Sequence, residues 1–373
     1  MVASSRLDRV IVVRILVGAL GGLVALGTMG SAVRTVVVPR GEQSFLANAT
    51  VLTMRRVFNG VSRRFRDRSR AEAVKARFAP MTLMFFPFVW AVGVITGCAG
   101  LFWALGVRPL QEAVVLSGSS LTTLGFRTTE DLPTLIVAIG EGLVGLGLVA
   151  LLISFLPTIY SAFSKREAAV SKWHLRATGL DGVASPASML VRRHLVGSLE
   201  DMMHTWYEWE DWFVDIEESH TSFPILVYFR SPVPERSWIT SAGLVLDSAS
   251  LYCSVLDLEA DSRAQLMIRT GTLSLRRICD YFGFEYDPDP APADLVSIGR
   301  AEFDQVFDFF VEVGMPVVTD RDRAWRDFAG WRVNYDKPLL SLATWVDAPE
   351  VHWSSDRKIA VRRPRVFRRN RTS

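Results

Sequence analysis

The run from Met81 to Val107, "MTLMFFPFVWAVGVITGCAGLFWALGV", contains no charged residue. At 1.5 Å per residue it makes about 40 Å of helix, enough to cross a ~30 Å hydrocarbon layer with some tilt. A core helix of a soluble domain is neither so long nor so apolar on every side. A second run, Leu132 to Phe163, carries a single charge, Glu141. A third, Ile15 to Val33, sets 19 uncharged residues between Arg14 and Arg34. A cleaved secretory signal would also put an apolar stretch after Arg6 and Arg9 and end near "GSA". The length of the run and the basic segment behind it favour a retained helix. The expected fold is therefore an α-helical membrane protein with three spans.

Charge is distributed in blocks. Residues 40–78 hold ten Lys/Arg against three Asp/Glu, residues 161–356 hold 18 against 31, and residues 357–373 hold eight against none. A short, strongly basic loop marks the cytoplasmic side of a membrane. The second span then runs outward, the third returns, and the N-terminus lies outside a plasma membrane. Lys165, Arg166 and Lys172 at the exit of the third span agree with this. The basic loop and the tail are candidates for contact with anionic lipid, and the blocks point to membrane placement, not to nucleic acid. Disorder is the default state of such a tail. Cys98, Cys253 and Cys279 stand singly, with no metal or redox spacing, as expected of a reducing compartment. The chain divides into an N-terminal span (1–39), a basic loop (40–78), a two-span region (79–163), an acidic helical domain (164–356) and a basic tail (357–373).

Only 24 residues, Arg108 to Asp131, join the second and third spans. "RPLQEAVVLSGSSL" opens with Pro109 at a first-turn position and carries Glu112 near the N-terminus, which predicts a helix over 109–121. "TTLGFR" follows. Non-helical backbone at membrane depth survives only when buried in protein or lining a water-filled cavity. A short helix that descends part way, followed by an extended return, has the form of a re-entrant pore loop. Its C-terminal dipole end would favour a cation. An ordinary polar hairpin is the plainer reading of the same residues.

"TTLGF", Thr122 to Phe126, resembles the T-T-V-G-Y/F-G selectivity-filter signature of the potassium-channel family, and "SGSSL" resembles the end of that family's pore helix. The resemblance covers about residues 80–163. It implies an outer helix (81–107), a pore helix (109–121), a filter (122–127) and an inner helix (132–163). A homotetramer follows, since one loop supplies a quarter of the filter, and the expected permeant ion is K+, or K+ together with Na+. No other cofactor is implied. Thr123, Leu124, Gly125 and Phe126 would turn backbone carbonyls to the ion, with the Thr123 hydroxyl completing the innermost site. The side chains of Thr122 and Phe126 would brace the filter from behind. Arg127 stands where the family has a second glycine, and its cation would need Glu130 or Asp131, of the same or a neighbouring subunit, as counter-charge. This departure keeps two alternatives open, a less selective cation pore and a non-conducting scaffold or sensor that retains the pore fold.

On the third span, glycines recur at 140, 142, 145 and 147. Gly142 and Gly147 are candidates for close helix approach or hinging, Glu141 for bracing the pore helix or facing a cation, and Pro157 for bending near the cytoplasmic end. The acidic domain reads as mostly helical, from "SLEDMMHTWYEWEDWFVDIEES" through helical stretches at 293–313 and 320–332. His204 and Glu208 stand at i and i+4, with His220 beyond, but no third ligand completes a metal set. No catalytic constellation and no nucleotide-binding glycine motif is present, so the chain is not expected to be an enzyme.

Overall fold

The computed structural model describes residues 2–38, 44–179, 184–199, 201–233, 236–259, 261–357 and 359, the side chains of 2–9 and 68 excepted. Every regular element among these residues is helical. Three helices, Val10–Val36, Ser69–Leu105 and Leu132–Ala177, are long and apolar enough to cross a membrane. By length and composition the chain is a helical membrane protein. It divides into two compact units, Met1–Tyr160 and Ser161–Ser373.

In the first unit α1 (Val2–Val36) packs against α4 (Phe78–Leu105). Small residues make this possible. A Cβ on Gly21 would stand 2.5 Å from the Gly97 carbonyl, and one on Gly97 would stand 2.6 Å from the Gly21 carbonyl. Glycine at both positions lets the backbones approach closely, which is how helices gain contact where surrounding lipid is as apolar as they are. Gly18 meets Ala104 and Gly93 meets Thr28, so the two helices are antiparallel. Arg14 Nε donates to Ala104 O at 2.9 Å, placing a cation on the last carbonyls of α4. Gly106, at φ 119°, ends α4 in the left-handed conformation that favours glycine.

The segment expected as a basic loop is folded. It forms α2 (Phe45–Ser62) and α3 (Arg68–Ala76), and residues 39–43 lie outside the described set. Leu46, Val51, Met54 and Phe58 recur at helical spacing, a signal that the arginine count hides. Ala47 of α2 enters a buried cluster with Ala32, Phe86 and Trp90. The short helix α5 (Leu110–Leu121) packs on α4 through Ala113, Leu116 and Leu121, against Val94, Cys98 and Phe102.

Helix α6 (Leu132–Ala177) runs 14 residues beyond the expected end at Phe163. From Ser161 it belongs to the second unit, where Val170, Trp173 and Ala177 enter the core. The other elements there are α7 (Pro186–Leu195), α8 (Met203–Ser222), a 3-10 turn (Pro224–Tyr228), α9 (Trp238–Val255), α10 (Ser262–Phe282), α11 (Arg300–Glu312), α12 (Arg321–Arg332) and α13 (Asp336–Val346). Apart from Cys253, α9 is buried along its whole length, its serines and Asp247 included. The tryptophans are core. Trp206, Trp209, Trp238 and Trp353 are fully buried, and Trp173 meets Trp209 edge-on at 4.3 Å.

Among the described residues of this unit two arginines are buried, each bonded to oxygen acceptors. Arg332 bonds Asp247, Asp336 Oδ1 at 2.7 Å and the Trp353 carbonyl at 2.8 Å. Arg166 reaches Glu167 Oε1 at 2.9 Å and the carbonyls of Leu226 and Phe229 at 2.9 and 2.7 Å. Such charges persist in a core only when paired and hydrogen-bonded.

Candidate functional site

The hairpin between the second and third spans is built by ordinary rules up to Leu121 and departs from them afterwards. Pro109 precedes the first helical residue of α5, where its missing N–H costs nothing. Thr122 closes the helix, donating its N–H to Gly118 O at 3.1 Å and its hydroxyl to the same carbonyl at 2.6 Å. Thr123 then takes φ 56° and Gly125 φ 70°, while Leu124 and Phe126 remain at negative φ. For glycine the left-handed region is free. For a β-branched residue such as Thr123 it costs on the order of 1–3 kcal/mol and is retained only where the surroundings impose it. The return predicted as extended is a turn of alternating φ sign.

That turn leaves a distinctive polar balance. Two of its N–H groups are used, Thr123 N to Ser120 O at 3.0 Å and Gly125 N to Ser119 O at 3.4 Å. Among the described residues no hydrogen bond reaches the carbonyl oxygens of Thr123, Leu124, Gly125 or Phe126. Four consecutive acceptors are thus open, on a segment whose Leu124 and Phe126 side chains are 71% and 65% exposed. Thr122 and Phe126, expected behind the filter, have no cover in the single chain. The Thr123 hydroxyl, expected at the innermost position, donates to Thr122 O at 2.7 Å.

Beyond the turn the chain is pinned by one serine. Ser119 Oγ accepts from Arg127 N at 3.0 Å and donates to Arg127 O at 3.1 Å, satisfying both backbone groups of that residue. Within the chain the counter-charge of Arg127 is neither Glu130 nor Asp131. Its guanidinium pairs with Glu112 on the first turn of α5, Nη2 to Oε2 at 2.5 Å. Asp131 is occupied otherwise, accepting from Thr134 N at 3.2 Å and Thr134 Oγ1 at 2.6 Å as the cap of α6. Glu130 is exposed and has no ion pair among the described residues.

Behind the hairpin, Glu141 is 3% exposed and meets the side chain of Ser117, not the backbone of α5. The Ser117 hydroxyl sits between Glu141 Oε1 at 2.5 Å and Ile95 O at 3.2 Å, joining α4, α5 and α6 at one polar point. Cys98 faces the same carboxyl. Of the four glycines, Gly145 makes the close approach: a Cβ there would lie 1.8 Å from Leu121 O. Gly142 stands at ordinary contact with Ser120 O at 3.4 Å, whereas Gly140 and Gly147 face open space. Helix α6 passes through Gly142, Gly147 and Pro157 without interruption.

Sequence reasoning named the turn, Glu141 and the glycine series, but it singled out Gly142 and Gly147 rather than Gly145 and passed over Glu112 as a partner, Ser117 and Ser119. The hydroxyl-rich "SGSS" was the available signal for the two serines, since hydroxyls at the end of a short helix bond backbone that is leaving helical geometry.

Among its described residues the second unit offers no comparable constellation. His204 lies 3.3 Å from Glu208, but Glu208 also binds Lys172 and Arg176, so the pair is a surface ion cluster. His220 is buried, 3.2 Å from Arg166 Nη1, and burial first and Arg166 second push its pKa well below the usual histidine value. Ligand atoms of Glu302, His352 and Asp356 fall within 4.8 Å of one another. Glu302 is already committed to the Gly299 N–H at 2.8 Å and to Arg357, which reads as helix capping and ion pairing. No protein-family model, curated protein or solved structure matches the chain.

Proposed function

We propose that the chain is one quarter of a homotetrameric cation channel, conducting K+ or a less selective set of monovalent cations. One observation carries this reading: the four open carbonyls of Thr123 to Phe126, between two spanning helices and directly after the C-terminus of α5. Backbone acceptors at membrane depth need partners. Four symmetry-related turns would give them a dehydrating cation on a common axis, with oxygen dipoles replacing its water. The dipole end of α5 adds negative potential on the same side. Glu112 compensates Arg127 within one hairpin and removes the main electrostatic objection to cation entry. In this reading the basic α2–α3 segment is cytoplasmic, and the acidic helical unit on the same side regulates or assembles the pore.

The full-length protein in potassium-loaded vesicles tests it. Potassium-driven flux that disappears in Gly125→Asp and falls in Thr123→Ala supports conduction through these carbonyls. Equal flux in wild type and Gly125→Asp, or none in either across voltage and pH, contradicts it and favours a scaffold that keeps the hairpin without a conducting path.

A further inference from the structure

We infer that α2, with the turn after it, lies in the headgroup layer of the membrane and binds anionic phospholipid, as an interfacial helix and not a solvated linker. The inference goes beyond conduction and rests only on α1 and α4 being spans.

Because α1 and α4 are antiparallel, the end of α1 near Val36 and the start of α4 near Phe78 lie at the same membrane surface. Helix α2 is fastened there. Ala47 is buried with Ala32, Phe86 and Trp90, and the Phe58 ring stands 5.9 Å from that of Phe78. Beside this packed face it leaves Val57 52% exposed and Val61 38% exposed, with Phe65 at 40% in the following turn. Interleaved with these are Arg56, Arg63, Arg64 and Arg66, all exposed. Among the described residues none of the four has a carboxylate partner. The nearby acids are engaged locally, Asp67 with Ser69 N at 3.0 Å and Arg70 at 3.6 Å, and Glu72 with Lys75 at 3.2 Å.

Water would leave Val57, Val61 and Phe65 unburied, and hydrocarbon would leave four guanidinium groups without counter-charge. The layer between them satisfies both, taking apolar side chains to the acyl boundary while arginines meet phosphate. Planar guanidinium forks match phosphate oxygens in pairs, and four cations within the eleven residues 56–66 favour headgroups with net negative charge over zwitterionic ones.

The full chain carrying Val57→Cys or Val61→Cys, labelled with an environment-sensitive fluorophore, is reconstituted in phosphatidylcholine vesicles containing phosphatidylglycerol. One lipid or the other is brominated at equal mole fraction. Brominated phosphatidylglycerol should quench about twofold or more over brominated phosphatidylcholine. The difference should vanish when Arg56, Arg63, Arg64 and Arg66 are replaced together by Gln, and shrink at about 1 M salt. Helical circular dichroism checks that each variant is folded. Equal quenching by the two lipids in the wild type overturns anionic selection. Blue-shifted but unquenched emission, as burial against protein would give, or water-like unquenched emission overturns membrane placement. Failure of the flux experiment would leave these outcomes unaffected.

Discussion

Arg127 is turned back along its own hairpin to Glu112, with Nη2 2.5 Å from Oε2. The pair is partly exposed, so its contribution to folding is small, on the order of 0–1 kcal/mol. Its electrostatic role is larger, because a fourfold arrangement would place four copies around one mouth. Four uncompensated charges about 10 Å from an entering cation raise its energy by roughly 1–2 kcal/mol in water-like surroundings. Glu112→Gln should therefore lower cation flux about tenfold at low ionic strength, with the deficit shrinking as salt is raised. Arg127→Gln in the same background should restore it. Flux measured against ionic strength checks both statements.

Gly145 is the position where α6 touches the end of α5 backbone to backbone. Because the atom a Cβ would strike is a carbonyl oxygen at 1.8 Å, no side chain can rotate away. Gly145→Ala should displace the hairpin, cost about 1–3 kcal/mol and abolish flux. Gly140→Ala and Gly147→Ala, which meet open space in the chain, should fold with wild-type thermal stability. Thermal unfolding of the three variants in one detergent separates these outcomes.

His220 makes the second unit sensitive to acid. Its Nε2 faces Arg166 Nη1 at 3.2 Å and is an acceptor only while the ring is neutral. The folded-state pKa is depressed well below the ordinary value of 6.5, by burial and then by Arg166. The unfolded chain takes up a proton below about pH 6.5 that the folded one refuses, so stability present above that pH is lost as pH falls. The loss should approach about 1.4 kcal/mol per pH unit while the folded ring stays neutral. Denaturant unfolding followed by tryptophan fluorescence between about pH 7.5 and 5 measures it, and His220→Gln should flatten the slope.

The spans were legible because hydropathy over twenty or more residues outweighs local detail, and the hairpin was legible as a polar interruption between two of them. What remained hidden depended on where the chain goes next. The Glu112–Arg127 contact requires the turn at Thr123–Gly125 to bring residues 15 apart in sequence together, while Asp131 looked like the nearer partner. Arg332 and Asp247 are 85 residues apart, and nothing local marks either as buried. Helix α2 was concealed for a different reason: its arginines dominate the composition while its apolar residues carry the period. Helix α13 is short, and its apolar run "PLLSLATWV" is ambiguous until α9 supplies a surface for it.

The central claim is that the Thr123–Phe126 carbonyls of four chains surround one ion. Electron cryomicroscopy of the full chain in lipid nanodiscs with potassium measures this directly. The account predicts fourfold symmetry, with ion density on the axis at the level of the Leu124 and Gly125 oxygens. Isolated protomers, or assemblies in which this turn lies away from the symmetry axis, would contradict it.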